Sequence, residues 1–345
     1  MAAMSDGDRA FLRKLLILGA VVVAALALWT LRQVVLLLFA AILTALFLQA
    51  LCAPLRRLGL DRRLALGLVI LVLAVVFGLG AFFFGLGISQ QVAEAFRLVP
   101  QAFEELVQEL RTTAFGSKIV NGASEFDLRS ALPALLHLPG YALSTLGAFT
   151  SVLIVGFGAL FISVDPDGYT RSIVALAPPA WRSRLHPFLN DAGGQLRRWL
   201  IAQALGMVTV GVLTWLGLMM IGIPAAGALG LFAAAAEFVP IVGPIVASIP
   251  ALLLASLHGW DKVGWTLLLF IVVQQFESNL MLPVLQQKIV SLRPVVVLFS
   301  LMVFDVLFGF VGLLLALPLT IVLKAALDTF YFGAGDGHAG AQTSK

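Results

Sequence analysis

The chain has 345 residues, 61% of them hydrophobic and only 12% charged, with a formal charge of +4 and a mean hydropathy of +1.04. A soluble domain carries about 45–50% apolar and about 25% charged residues, so this much apolar surface requires lipid as its solvent. The one cysteine, Cys52, excludes an intrachain disulfide and a cysteine-based metal cluster, and basic residues confined to short loops speak for orientation in a bilayer rather than for nucleic-acid binding.

Residues 1–14, with Arg9, Arg13 and Lys14, form a basic N-terminal segment expected in the cytoplasm. Ala25-Leu26-Ala27 offers a cleavage-like A-x-A, but the apolar run continues on both sides of it, which reads as a retained signal anchor. Residues 15–88 hold three expected spans. The run 15–51 would be about 55 Å as one helix, against a hydrocarbon core of about 30 Å, so it divides into two helices turning at Arg32-Gln33. A basic loop with Arg56, Arg57, Arg62 and Arg63 follows, then the third span, 64–88.

Residues 89–138 change character, with six acidic and four basic residues, and read as a small helical extramembrane insertion on the outer side. Val92, Phe96, Val99, Phe103, Leu106 and Leu110 alternate steps of four and three, a heptad seam that expects a helical partner from a neighbouring protomer or from the insertion itself. Pro100 within it predicts a kink or break.

The fourth span is 139–163. The turn Asp165-Pro166-Asp167-Gly168 opens a cytoplasmic amphipathic segment, 164–198, that closes on Arg197-Arg198-Trp199, an arrangement suited to an interface anchor. The rest, 199–332, is the expected transport core. It begins with a span over 199–221. Residues 222–257 are apolar but carry Glu237, Pro240, Gly243, Pro244 and Pro250, and their length suits a broken helix or re-entrant hairpin. A span over 263–282 ends in the polar group Gln274, Gln275, Glu277 and Asn279. Residues 294–324 repeat the broken pattern with Asp305, Gly309, Gly312 and Pro318, and the tail 333–345 is small, polar and expected to be disordered.

The two broken segments echo each other. Glu237 to Pro250 is a step of 13, and so is Asp305 to Pro318; Glu237 to Gly243 is six and Asp305 to Gly312 is seven. With one full span between them they would enter from opposite faces, the inverted plan by which transporters bring broken helix ends to a midplane site. A carboxylate at the bilayer centre costs about 2.5–3.5 kcal/mol on the insertion scale, so Glu237, Glu277 and Asp305 are candidates to bind a cation, carry a proton or line water. The alternative for each is a carboxylate that only caps a broken helix near the interface. Gln274, Gln275 and Asn279 serve equally well as interhelical hydrogen-bonding groups. No H-E-x-x-H, G-x-S-x-G or Walker loop is present, so neither an enzyme nor an ATP-driven pump is expected, and no metal or cofactor is implied.

Several runs resemble the motifs of one family. Glu237-Phe238-Val239-Pro240-Ile241-Val242-Gly243-Pro244 is similar to its E-x-[IV]-P-x-[IV]-G-P signature, and Gln274-Gln275-Phe276-Glu277-Ser278-Asn279-Leu280, then Pro283, to its Q-x-x-E-x-N-x-x-x-P element. Arg293-Pro294 stands at its H-P position, and Gly309-Phe310-Val311-Gly312 with Leu317-Pro318-Leu319 resembles its closing run; Asp167, Pro178 and Gln203 extend the likeness upstream. This is the AI-2E, or PerM, transporter family. Asp305 and Gln287-Lys288 depart from its pattern.

The resemblance implies a multi-pass inner-membrane protein that forms a homo-oligomer, pentamers being among the assemblies the family suggests, and that exports a small polar solute such as autoinducer-2 or exchanges Na+ or Li+ for H+. The expected fold class is all-α: a polytopic membrane protein with about six full transmembrane helices, two broken or re-entrant helical hairpins and the small helical insertion, with both termini cytoplasmic. Three functions compete: a secondary transporter or facilitator of a small polar solute, a monovalent cation/proton antiporter, and a membrane scaffold acting through 89–138. The expected path residues are Glu237, Pro240, Gly243, Pro244, Gln274, Glu277, Asn279, Asp305, Gly309 and Gly312.

Overall fold

The computed structural model describes residues 19, 29–112, 145–281 and 293–332, and every regular element among them is helical. Most of the expected first span, residues 113–144, residues 282–292 (with Pro283, Gln287 and Lys288) and the tail from 333 lie outside the described residues. Among the described residues, three helices are long and apolar enough to cross a bilayer, and a fourth span is formed if a pair bent by 93° counts as one.

Helix α1 (Arg32–Arg57) begins where Leu31 leaves helical geometry, at φ −87° and ψ 4°. It runs beyond the expected end at 51, through Pro54, so the basic loop shrinks to the turn before α2. Arg56 and Arg57 occupy the last turn, where cations interact favourably with the negative end of the helix dipole. Helix α2 (Arg62–Thr112) joins the third span to the insertion as one helix of 51 residues. The break expected at Pro100 is absent. The ring removes one i→i−4 hydrogen bond, but Val99 and Ala102 on either side are 3% and 0% exposed and fix the backbone by packing.

Helix α3 (Thr145–Val164) crosses α1 closely enough that a Cβ at Gly158 would stand 3.0 Å from Ala41 Cβ, the small-residue contact usual between membrane helices. Asp165 caps α4 (Pro166–Leu176), accepting from the Gly168 N–H at 2.9 Å. Arg182, on the next helix, donates to the Ala175 and Ala177 carbonyls at 2.8 and 2.9 Å and so closes the other end of α4. Helix α5 (Pro179–Ile221) is 43 residues long and fuses the amphipathic segment with the expected fifth span.

The segment after Gly222 is a hairpin. Helix α6 (Ala226–Ala236) and helix α7 (Val242–Ser256) have 11 and 15 residues, about 17 and 23 Å, each short of a bilayer crossing. Both open ends lie together: Lys262 Nζ, at the start of α8 (Trp260–Phe276), donates to the Gly222 carbonyl at 3.1 Å. A π-helical turn, Glu277–Met281, continues α8.

Helix α9 (Pro294–Leu327) contains one non-helical residue, Gly309, at φ 65° and ψ −154°. A Cβ added to Gly312 would strike the Phe304 carbonyl oxygen, eight residues earlier. In a straight helix those positions are about 12 Å apart, so the chain folds back here. The arms 294–308 and 310–327 form a second hairpin, and Leu301 and Ala316 meet in one buried cluster between them.

Helix α5 sets the two hairpins in opposite directions. The open end of the first packs at its C-terminus, where Leu218 and Ile221 meet Ala225, Leu253 and Leu254. The far end of the second reaches its N-terminus, where Phe330 lies 5.6 Å from Trp181 and 5.5 Å from Phe188. The heptad seam of α2 finds its partner within the same chain. Val92, Val99, Phe103 and Leu106 pack on the open end of the first hairpin, which presents the Ala and Leu faces of α6 and α7 to them. Gln91 caps α6 from α2, its Oε1 accepting from the Gly227 and Ala228 N–H groups at 3.0 and 3.2 Å.

Candidate functional site

Each hairpin tip is built on the same steric device. A Cβ at Gly243 would strike the Ala236 carbonyl, just as one at Gly312 would strike that of Phe304. Ala236 and Phe304 are the residues immediately before Glu237 and Asp305, so both acids sit where the first arm ends and both glycines where the second begins. Only hydrogen fits at either glycine. In the first tip Ile241 takes φ 71° and ψ −50°, a costly conformation for a β-branched residue, while Pro240 precedes it without needing a hydrogen-bond acceptor.

Glu237 ends α6 and is 2% exposed. Its backbone carbonyl accepts from Gln203 Nε2 of α5 at 2.6 Å. Its side chain faces that of Glu277, within hydrogen-bonding reach. Two ionised carboxylates can only accept, and Oε2 of Glu237 has no hydrogen-bond partner among the described residues. Gln274 Nε2 donates to Glu277 Oε2 at 3.3 Å, supplying part of what Glu277 needs. Glu237, Pro244, Gln274 and Glu277 together line a cavity of about 10 Å³ whose remaining walls are apolar, among them Val210, Phe270 and Val273. That is the scale of a single water molecule or a small ion.

The structure therefore brings Glu237, Pro244, Gln274 and Glu277 to one place, with Gly243 in the turn that holds it. Asn279 is directed elsewhere, donating to Gln275 Oε1 at 2.9 Å on the exposed side of the π-turn. Asp305 and Gly309 are exposed at the second tip and do not line the cavity, and Gly312 is buried beneath them. No group of three or more His, Cys, Asp or Glu side chains arranged for a metal ion occurs among the described residues.

The two hairpins touch. Phe238 and Val239 of the first tip pack against Leu315 and Leu317, and against Leu301 and Ala316, of the second hairpin. Trp199 belongs to this contact: it is 7% exposed and meets the Phe238 ring edge-on at 5.9 Å. It is not an anchor at the interface, because the helix carrying it extends inward without a break and turns this side chain to the tip. Gln203, one turn further on, entered the sequence reading only through the family likeness, and the structure adds it to the site.

An apolar cage around two facing carboxylates, at the point where two oppositely directed hairpins meet, can hold a proton, a small cation or a donor group of a polar solute. Comparisons with known proteins identify the family. YueF of Bacillus subtilis, a candidate transport protein by name, is 26% identical over 306 residues, covering 84% of this chain and 83% of YueF. YrrI of the same organism, named in the same way, is 27% identical over 187 residues, about half of each chain at 54% and 53%. PerM of Escherichia coli, a candidate permease by name, is 24% identical over 143 residues, 41% of this chain and 40% of PerM. The model of the AI-2E family transporters matches residues 18–332, which takes in both hairpins, the paired glutamates and the helices that hold them, and the chain belongs to that family of membrane transporters.

Proposed function

We propose that the chain is a secondary transporter or facilitator that moves a small polar solute across the inner membrane, with the Glu237–Glu277 pair as the point of coupling. The observation that carries the reading is the buried carboxylate of Glu237, facing Glu277 with an oxygen left unpartnered among the described residues. Two negative charges in an apolar cage are costly, and a proton or a cation relieves that cost; its arrival and departure can then be tied to movement of the hairpins. Pro240, Gly243 and Pro244 hold the first tip, Gln274 supplies a hydrogen bond, and Asp305, Gly309 and Gly312, with Asn279 at the edge, form the approach on the second side.

The same pair favours monovalent cation/proton exchange as a second reading, since Na+ and H+ compete naturally for facing carboxylates. An export role for an autoinducer-2-like solute rests on family likeness alone. In the proposed orientation the basic end, with Arg56, Arg57 and the first half of α5, faces the cytoplasm, and so do both termini. The exposed apolar helix faces would be covered by lipid and by further copies of the chain in a homo-oligomer.

The test is flux in proteoliposomes under an imposed pH or Na+ gradient. Glu237→Gln keeps the shape and removes the charge. Loss of gradient-driven flux with assembly intact is expected, and Glu277→Gln should behave alike. If both variants transport with the parent's pH and Na+ dependence, the pair is a helix cap and the protein a passive facilitator.

A further inference from the structure

A second cavity lies away from the hairpin tips, at the basic end of the molecule. It occupies about 470 Å³ between the end of α1, the α1–α2 turn and the first half of α5, and its lining includes Arg56, Arg57, Arg62 and Arg197 with Asp61 as its one acidic residue. Arg62 is already paired, at 3.0 Å, with Asp167 of α4. Counting Asp61 and Asp167 against the four guanidinium groups still leaves an excess of two positive charges.

Arg197 makes the cavity more than a solvated basic surface. It rises from the middle of α5, and its Nη2 donates to Gln49 Oε1 of α1 at 3.1 Å. Its Nε is buried with no partner among the described residues. Arg56 lies close enough to repel it electrostatically. Holding two guanidinium groups together at the edge of an apolar bundle costs free energy unless an anion joins them. Planar guanidinium forks match a tetrahedral phosphate, which accepts two parallel N–H bonds from each. The cavity wall also includes Leu60, and Leu58 and Leu64 flank the turn at 77% and 67% exposed. Apolar surface beside a cationic pocket at the end of membrane helices suits a phosphate carried on an acyl chain.

We propose that this pocket is a binding site for a phosphate-bearing anion, held by Arg56, Arg57 and Arg197. The phosphate can come from an anionic lipid headgroup or from a soluble phosphate, and both meet the same arginines. Its occupancy would tie α1 to α5 and so steady the helix on which both hairpins rest. The proposal does not depend on the transport reading, because the test reads binding.

The experiment measures thermal unfolding of the purified full chain in neutral detergent. It adds, separately, phosphatidylglycerol, phosphatidylcholine and millimolar inorganic phosphate. Phosphatidylglycerol is expected to raise Tm by several degrees and phosphatidylcholine to leave it unchanged. The exposed-residue double variant Arg56→Gln/Arg57→Gln should lose most of that shift, and Arg197→Gln all of it. Should Arg197→Gln fail to fold, the double variant decides alone. A shift with inorganic phosphate that needs the same arginines assigns the site to a soluble anion. A shift with phosphatidylglycerol that the double variant retains in full, or no shift with either anion, overturns the proposal.

Discussion

The side-chain amide of Gln203 donates to the backbone carbonyl of Glu237 at 2.6 Å, tying the first hairpin's tip to the long helix α5. That carbonyl is one of those left free when α6 ends, and it would otherwise stay unsatisfied inside an apolar contact. Gln203→Leu keeps the bulk and removes the donor. A loss of about 1 kcal/mol in stability is expected, with a fall in transport rate as the tip loosens. Thermal unfolding and flux, measured on the same preparation, check both; an unchanged Tm would mean that the tip carbonyl has another donor.

The tip glycines make a graded series. Gly243→Ala and Gly312→Ala each drive a methyl into a backbone carbonyl and should destabilise by about 1–3 kcal/mol, the usual range for overpacking. Gly309→Ala meets open space but keeps φ 65°, so its cost should be about 1–2 kcal/mol, from backbone strain alone. Gly67→Ala, in α2 with nothing within 4 Å, serves as the reference, and on helix propensity it should stabilise slightly. Equal effects at all four positions would refute the fold-back at the tips.

Orientation can be read with single cysteines after Cys52→Ser. Asp261, beside the open end of the first hairpin, and Arg293, at the start of the second, are both exposed. Asp261→Cys should react with an impermeant thiol reagent only from outside, and Arg293→Cys only from the cytoplasmic side. Labelling of both from one side would mean that the hairpins share a face.

Helix α2 should stabilise the first hairpin rather than the oligomer. Ala102 is 0% exposed against that hairpin, so Ala102→Leu should cost about 1–3 kcal/mol through overpacking. Gln91→Leu removes the cap on α6 and should cost about 1 kcal/mol. Neither change should alter the oligomeric state seen by light scattering in detergent. Dissociation without a loss of Tm would place α2 at a subunit interface instead.

The hairpins were legible because their chemistry is local. An acid, a glycine six or seven residues on and a proline thirteen on mark an arm's end, a close approach and a second arm, and those offsets survive in the folded chain. Glu237 and Glu277 could be nominated separately as buried charges, but their meeting depends on how α7 and α8 pack, which spacing does not encode. The partner of the α2 seam was hidden for the same reason. A heptad pattern states that one side of a helix is apolar, not which apolar surface it meets, and here the answer lies more than a hundred residues away in Leu253 and Leu254. At Pro100 the helix does not break, because tertiary contacts outweigh the local penalty, and Trp199 misled because its basic neighbours, Arg197 and Arg198, described the helix's other faces.

The unbroken length of α2 gives the molecule a lever. At 51 residues the helix is about 77 Å long, more than twice the hydrocarbon thickness. The part beyond residue 88 rests on the open end of the first hairpin and extends past it to Thr112. A tilt of that rod by about 5° along its outer 24 residues, some 36 Å, would displace Thr112 by about 3 Å. Motion at a buried glutamate would thus be amplified into a displacement on the far side of the membrane, large enough for a paired fluorophore on Glu105 to follow turnover in real time.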